Sequence, residues 1–285
     1  MTARRVTQVI QASPVTEGAG VTVHRSIGTP ALRSLDPFLM LDNFGSDDPD
    51  QYIAGFPDHP HRGFITLTYM LNGHMLHQDS MGNRGDLRSG GAQWMKAASG
   101  VIHSEMPQQS AGLMRGFQLW INLPAAEKMS DPAYQEFSPE AIPLVAADGQ
   151  RVRLLSGTYG GQQGPIDDPH TQVQYLDVTL AANRRFAHKL DTGMTAFIYV
   201  FEGAASLAGT PLPQHTLAVL SPGEELEITA GKPGTRFILV AGLPLNEPVV
   251  QYGPFVMTTR QQIEQALADY RDDRLVQKKA QSVSK

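Results

Sequence analysis

Two short pairs, His59-Pro60-His61 and His103-Ser104-Glu105, constrain this chain more than any other feature. Alternate residues of a β-strand point to the same face, so each pair can aim both side chains into one cavity. Three imidazoles and one carboxylate make a compact set of N and O donors suited to a divalent transition metal, with positions left for ligand or water. One His-x-His alone is weak, because such pairs occur by chance on wet surfaces. A second spaced His/Glu pair is much harder to explain that way. Strand signals lie between the two. The run from Gly63 to Leu71 is rich in β-branched, aromatic and aliphatic residues, and Asn72-Gly73 closes it with a hairpin-type turn. Gly82-Asn83 and Gly90-Gly91 punctuate the stretch beyond that turn. The pairs are therefore expected on antiparallel strands of one small barrel, where they converge.

The cysteine count sharpens the ligand argument. There is none, which excludes disulfides and thiolate sites and leaves imidazole and carboxylate as the strong ligands. At 285 residues the chain can hold two domains, each with its own core. Apolar content of 41% with 18% charged residues is that of a globular protein. A net charge of −5 and a pI near 6.0 give no electrostatic footprint for nucleic acid. No apolar run is long enough for a signal peptide or a membrane span, so the cytoplasm is the expected location.

Taken in order, Val6 to Ile10 and Val21 to His24 alternate as strands of barrel wall, with His24 a lone structural or surface histidine. Pro57 and Pro60 suit an edge strand or a bulge. Arg62 should point away from the cavity into an ion pair. His77 falls between the ligand pairs and could compete for the metal; His74, beside the turn, should be exposed. A strand from Gly116 to Leu123 ends at Pro124 and closes a first domain, 1–123. Prolines 124, 132, 139 and 143 mark an ordered linker over 124–150, leaving 151–285 as a second domain. The glycine-rich stretch Gly157 to Gly164 lacks the Lys-Ser/Thr ending of a phosphate loop and reads as a surface loop. Tyr199-Val200-Phe201-Glu202-Gly203 echoes Tyr69-Met70-Leu71-Asn72-Gly73. In that register His59 and His61 fall on Lys189 and Asp191, and His103 and Glu105 on Pro233 and Thr235. His188 is left isolated, so repetition points to two barrels and one metal. Ile263, Ala266, Leu267 and Tyr270 recur at helical spacing within 258–279. Thr258 or Thr259 with Gln261 or Gln262 forms a candidate capping box, and the tail beyond Lys279 should fray.

Several stretches together resemble the pirin family: His59-Pro60-His61-Arg62-Gly63-Phe64, His77-Gln78-Asp79-Ser80-Met81-Gly82-Asn83, Gln93-Trp94-Met95, and Gly100-Val101-Ile102-His103-Ser104-Glu105. Pro37 to Asp42 and Gln118 to Leu123 resemble its signatures too. The resemblance implies an all-β chain of two tandem cupin, jelly-roll-like barrels with a C-terminal helix. It also implies one metal in the first barrel, held by His59, His61, His103 and Glu105. Iron(II) is the metal implied, although the same donors suit nickel, copper, zinc or manganese. One departure is Ile65, where the family commonly carries Glu, and this should make the pocket less polar. The implied activity is dioxygen-dependent cleavage of flavonols such as quercetin with release of carbon monoxide. Glu105 would then be the catalytic base for the flavonol 3-hydroxyl. Phe38, Met40, Phe56, Ile65 and Trp94 are candidates to line an aromatic-sized pocket. The resemblance also allows a different function, an iron-binding, redox-sensing regulator that acts on a transcription or metabolic protein partner and has no substrate of its own.

Overall fold

A computed structural model describes residues 2–278. Strand accounts for 56% and helix for 6%, the latter with one α-helix near the C-terminus, as expected of an all-β bicupin. No helix among the described residues is long and apolar enough to cross a membrane. The chain divides into two compact units.

The unit that carries the paired motifs contains Pro14–Arg25, Phe38–Pro139 and the chain from Leu245 onward. Its large sheet has the strand order Ala133–Phe137, Ala92–Lys96, Phe64–Asn72, Met114–Asn122, Phe38–Ser46, Val21–Ile27, Ser13–Glu17. A four-stranded sheet of order Phe56–His61, Val101–Pro107, His74–Asp79, Arg84–Arg88 carries the ligand pairs. Phe64–Asn72 is buried through its length apart from Asn72, as befits a central strand covered on both faces. One of its faces presents Ile65, Leu67 and Tyr69, paired with Ile121, Leu119 and Phe117. The other presents Thr66, Thr68 and Met70 and looks into the barrel. Phe56–His61 lies at the sheet edge, where Pro57 and Pro60 leave no ladder bond unmade.

The second unit contains the chain up to Ser13, Ser26–Pro37 and Glu140–Pro244. Its nine-stranded sheet runs Val6–Gln11, Thr216–Leu220, Thr195–Leu207, Glu225–Gly242, Gln174–Leu180, Gln150–Ser156, Leu144–Ala147 along its main path. Val152, Leu176, Phe186, Leu226, Ile228 and Phe237 belong to one continuous buried cluster inside it. Gly157 to Gly164 forms a small exposed hairpin, Thr158–Tyr159 against Gln162–Gln163.

This division differs from a simple split into 1–123 and 151–285. Val9 pairs with Ala218, so the N-terminal strand completes the second barrel. The C-terminal segment joins the first. Alternation identifies a strand but does not name its partner, which is why both crossings escape sequence reading. The presumed linker is also divided, at Pro139/Glu140.

The α-helix spans Arg260–Arg271, shorter than 258–279; Lys279 and the tail lie outside the described residues. Thr259 and Gln262 form the capping box, each side chain accepting from the other's backbone N–H. The buried face is Ile263, Ala266 and Asp269, whereas Leu267 and Tyr270 are exposed. Asp269 is buried because it meets Arg62: Arg62 Nη1 donates to its Oδ2 at 2.8 Å. Arg62 also donates from Nε to the Ser99 carbonyl at 2.6 Å. Beside it, Gly63 has φ +90°, and a Cβ there would lie 2.0 Å from the Val256 carbonyl oxygen, so only glycine admits the C-terminal strand. Lys128 seals this junction, its Nζ donating to Gly63 O at 2.7 Å, Asn122 Oδ1 at 2.6 Å and Val256 O at 3.0 Å.

Candidate metal centre

The register of the four-stranded sheet brings His59, His61 and His103 together, whereas Glu105 groups with His103 and His77. His103 lies opposite His59 and Val101 opposite His61, and a bulge after His103 sets Glu105 opposite Phe56. Such a bulge re-aims a side chain without ending the strand. The imidazole centroids of His59 and His103 are 4.3 Å apart, those of His61 and His103 4.9 Å, and those of His59 and His61 4.7 Å. Donor atoms of these three residues lie within 4.8 Å of one another.

Their hydrogen bonds leave the free nitrogens where a cation would need them. His59 Nδ1 donates to the Pro57 carbonyl at 2.8 Å, which leaves Nε2 with its lone pair. His61 Nδ1 and His103 Nε2 are buried with no hydrogen-bond partner. A buried polar atom without a partner costs roughly 1–3 kcal/mol, and two such atoms facing one cluster fit a site completed by a bound ion. Burial first, then the neighbouring imidazoles, hold His61 and His103 well below the ordinary histidine pKa. Both rings are therefore neutral, the form that ligates.

On the neighbouring strand His77 lies opposite Glu105 and Asp79 opposite His103. His77 Nδ1 lies 3.4 Å from His103 Nδ1, and its Nε2 lies 3.3 Å from Asp79 Oδ2. Asp79 is fixed in turn by the backbone N–H groups of Met81 and Asn83. Tyr134 stacks on His77 at a centroid distance of 4.5 Å. Gly85 makes room, since a Cβ there would sit 1.9 Å from the Tyr134 hydroxyl. His77, His103 and Glu105 also have donor atoms within 4.8 Å of one another, so His77 is close enough to compete for a metal.

Glu105 faces a cavity of about 610 Å³ whose lining includes His59, His61, Thr68, Gln118 and Trp120. Thr68 Oγ1 lies 3.2 Å from Glu105 Oε1 and 2.5 Å from the Gln118 side-chain amide. One hydroxyl proton cannot serve two acceptors. The amide oxygen Oε1 of Gln118 faces Thr68 and competes with Glu105 for the Thr68 hydroxyl proton, unless the Gln118 amide turns its NH2 inward, which frees Thr68 to donate to Glu105. Of the five apolar lining candidates, Met40 and Phe56 border the cavity and Phe38, Ile65 and Trp94 do not. Ile65 pairs with Ile121, and Trp94 with Leu67, on the opposite face of the sheet. The Ile65 departure therefore leaves the polarity of the cavity unchanged. His74 is half-buried, not exposed as expected, with its Nε2 against Asp86 on the outer strand pair, and Arg62 points away from the cavity as expected.

Comparison with known proteins agrees with this architecture. The Pirin family model matches residues 20–121, and the model of the pirin C-terminal cupin domain matches 175–276. The chain belongs to the pirin family. A Pseudomonas aeruginosa protein named "Putative quercetin 2,3-dioxygenase" is 48% identical over 277 residues, covering 94% of this chain and 97% of that one. Human pirin is 40% identical, covering 94% and 93%. The crystal structure of a quercetin 2,3-dioxygenase from Acinetobacter baumannii superposes with a TM-score of 0.90 at 31% identity, covering 96% of this chain and 99% of that chain.

The resemblance seen in the sequence therefore holds across both barrels. Sequence reading missed the residues around the cluster: Thr68, Gln118, Asp42, Arg25 and Tyr134. A partial signal for the first three exists, each being a polar residue within a largely apolar strand, though Thr66, Asn122 and Asn43 in the same strands carry the same signal.

Proposed function

We propose that this pirin is a metal-dependent dioxygenase that cleaves flavonols such as quercetin, with His59, His61, His103 and Glu105 as the ligands of one iron(II). What carries the reading is the pair of orphaned nitrogens, His61 Nδ1 and His103 Nε2, in an imidazole cluster whose His59 and His61 line a cavity of about 610 Å³. The names of the Pseudomonas relative and the Acinetobacter structure support the same reaction class. A bound metal would supply Lewis-acid activation of the flavonol 3-hydroxyl and a site for dioxygen beside it. The chain supplies the rest. Trp120, Met40 and Phe56 flank a flat aromatic ligand and exclude water. Glu105 takes the 3-hydroxyl proton, and Thr68 holds the Glu105 carboxylate in orientation through its hydrogen bond. The Asp79–His77 pair fixes the ring of His103 from behind. Both atoms of dioxygen enter the ring-opened ester, and one flavonol carbon leaves as carbon monoxide.

The test is aerobic quercetin turnover with carbon monoxide detection on iron-reconstituted protein. Turnover proportional to bound iron and absent in His59→Ala is expected. Stoichiometric iron without turnover would reject the dioxygenase and leave the redox-sensing regulator with a protein partner as the better reading.

A further inference from the structure

The barrel face of the large sheet is built in three rows, each crossing adjacent strands. One row is Met70, Gly116 and Phe44; another is Thr66, Trp120 and Met40. Both are apolar apart from a threonine. The row between them is polar: Thr68 lies opposite Gln118, and Gln118 opposite Asp42. It begins at Glu105, through the Thr68 contact of 3.2 Å. It ends at Arg25, which donates from Nε and Nη2 to the two oxygens of Asp42 at 2.8 and 2.6 Å and from Nη2 to Glu17 at 2.7 Å. Glu17, Arg25 and Asp42 all line the cavity that contains His59, His61 and Glu105.

The stripe's groups are paired with one another, so their burial is tolerated, and on a largely apolar cavity face they are the polar groups available to a ligand. Four adjacent strands span three interstrand spacings, about 14 Å, which is the reach of a planar three-ring molecule and not of a single phenol. At the far end, two carboxylates share one guanidinium, leaving one net negative charge. That arrangement repels a ligand carboxylate. It suits a hydroxyl, which can donate to Glu17 and accept from Arg25. An apolar ring edge placed there would strip water from Glu17, 37% exposed in its side chain, and give nothing back.

We propose that the Glu17–Arg25–Asp42 cluster is a subsite for the distal hydroxyl groups of the ligand, so that the cavity selects polyhydroxylated flavonols over flavonols bearing the 3-hydroxyl alone. The proposal rests on the flavonol reading of the metal end and adds the residues that select among flavonols. Trp120 and Met40 on one side of the stripe and Phe44 on the other form a slot for the rings. The stripe between them keeps the hydroxylated edge in register with Glu105.

The test is equilibrium binding, without turnover, of quercetin and of 3-hydroxyflavone to anaerobic iron-loaded protein, followed by the change in flavonol absorbance. The wild-type chain should bind quercetin about 10–100-fold more tightly, the worth of a hydrogen bond to a charged group. Glu17→Gln, at the most exposed position of the cluster, should remove most of that preference and leave 3-hydroxyflavone binding unchanged. Arg25→Met should do the same and serves as the second variant. Equal affinities in the wild-type chain, or a Glu17→Gln variant that weakens both ligands alike, would overturn the subsite and leave the dioxygenase reading standing. Failure of both flavonols to bind would overturn the subsite and the dioxygenase reading together.

Discussion

The two barrels of this pirin share a strand plan and differ in what they enclose. In the first, the edge pairing sets His59 against His103, with Glu105 and His77 alongside. In the second, the equivalent pairing sets His188 against Leu226 and Phe186 against Ile228. Phe186, Leu226 and Ile228 are buried in a continuous apolar cluster. His188 is half-buried and hydrogen-bonds Gln174 Oε1 at 3.1 Å, so its ring already has a protein partner. Among the described residues every group able to hold a metal lies in the first barrel. One scaffold thus serves in two ways: the second barrel has a hydrocarbon core beside a cavity of about 1050 Å³ that holds His188 but, among the described residues, no cluster of metal donors, and the first, lined with imidazole, is a candidate reaction vessel. The first carries two unpaired imidazole nitrogens, His61 Nδ1 and His103 Nε2, inside its donor cluster.

The largest expected effect comes from making the first barrel resemble the second. His103→Leu places hydrocarbon where Leu226 sits in the second barrel. Metal affinity, measured by competitive titration, should fall by more than about a hundredfold, since even outer partners of ligands are worth 10–100-fold. The metal-free variant should melt no lower than the metal-free parent, because an orphaned imidazole has been replaced by an apolar side chain. A variant that kept its metal would break the comparison.

Next in size is Arg62→Ala, which removes the buried guanidinium partner of Asp269, leaving it Gln265 and the exposed Arg274, in the junction that holds the C-terminal segment on the first barrel. Denaturant unfolding should show a loss of roughly 3–5 kcal/mol. A smaller effect is expected at Lys128, whose ammonium burial lowers from 10.5 to about 8. Between those pH values the unfolded chain holds a proton that the folded chain has released. Stability therefore rises with pH across that window, by up to roughly 3 kcal/mol, and the penalty is present in full below it. Lys128→Met should flatten that slope in unfolding titrations at pH 8 to 10.5. The smallest is His77→Phe, which keeps the stack on Tyr134 but removes the contact to His103. Metal affinity should fall about 10–100-fold while the melting temperature of the metal-free chain barely moves.

Legibility in the sequence was a matter of range. The convergence of His59, His61 and His103 could be read because strand alternation acts over two residues, and the family motifs mark the same positions; Glu105 as a fourth ligand remains a proposal. The edge strand was legible from Pro57 and Pro60, and the capping box from Thr259 and Gln262. Contacts between distant segments were not. Arg62 and Asp269 are 207 residues apart, and nothing local to either names the other. The exchange of terminal segments between barrels was missed for the same reason. The polar stripe lies between these cases. Thr68, Gln118 and Asp42 are polar residues in largely apolar strands, as Thr66, Asn122 and Asn43 are, and only the register shows that the first three form one row.

The most direct test of the account is metal content per chain after iron loading, compared among the parent, His59→Ala and His188→Ala. The account predicts one iron per chain in the parent, none in His59→Ala and one in His188→Ala. Two irons in the parent, or iron retained in His59→Ala and lost in His188→Ala, would contradict it, because the division between a barrel with a metal-donor cluster and one without would then be wrong.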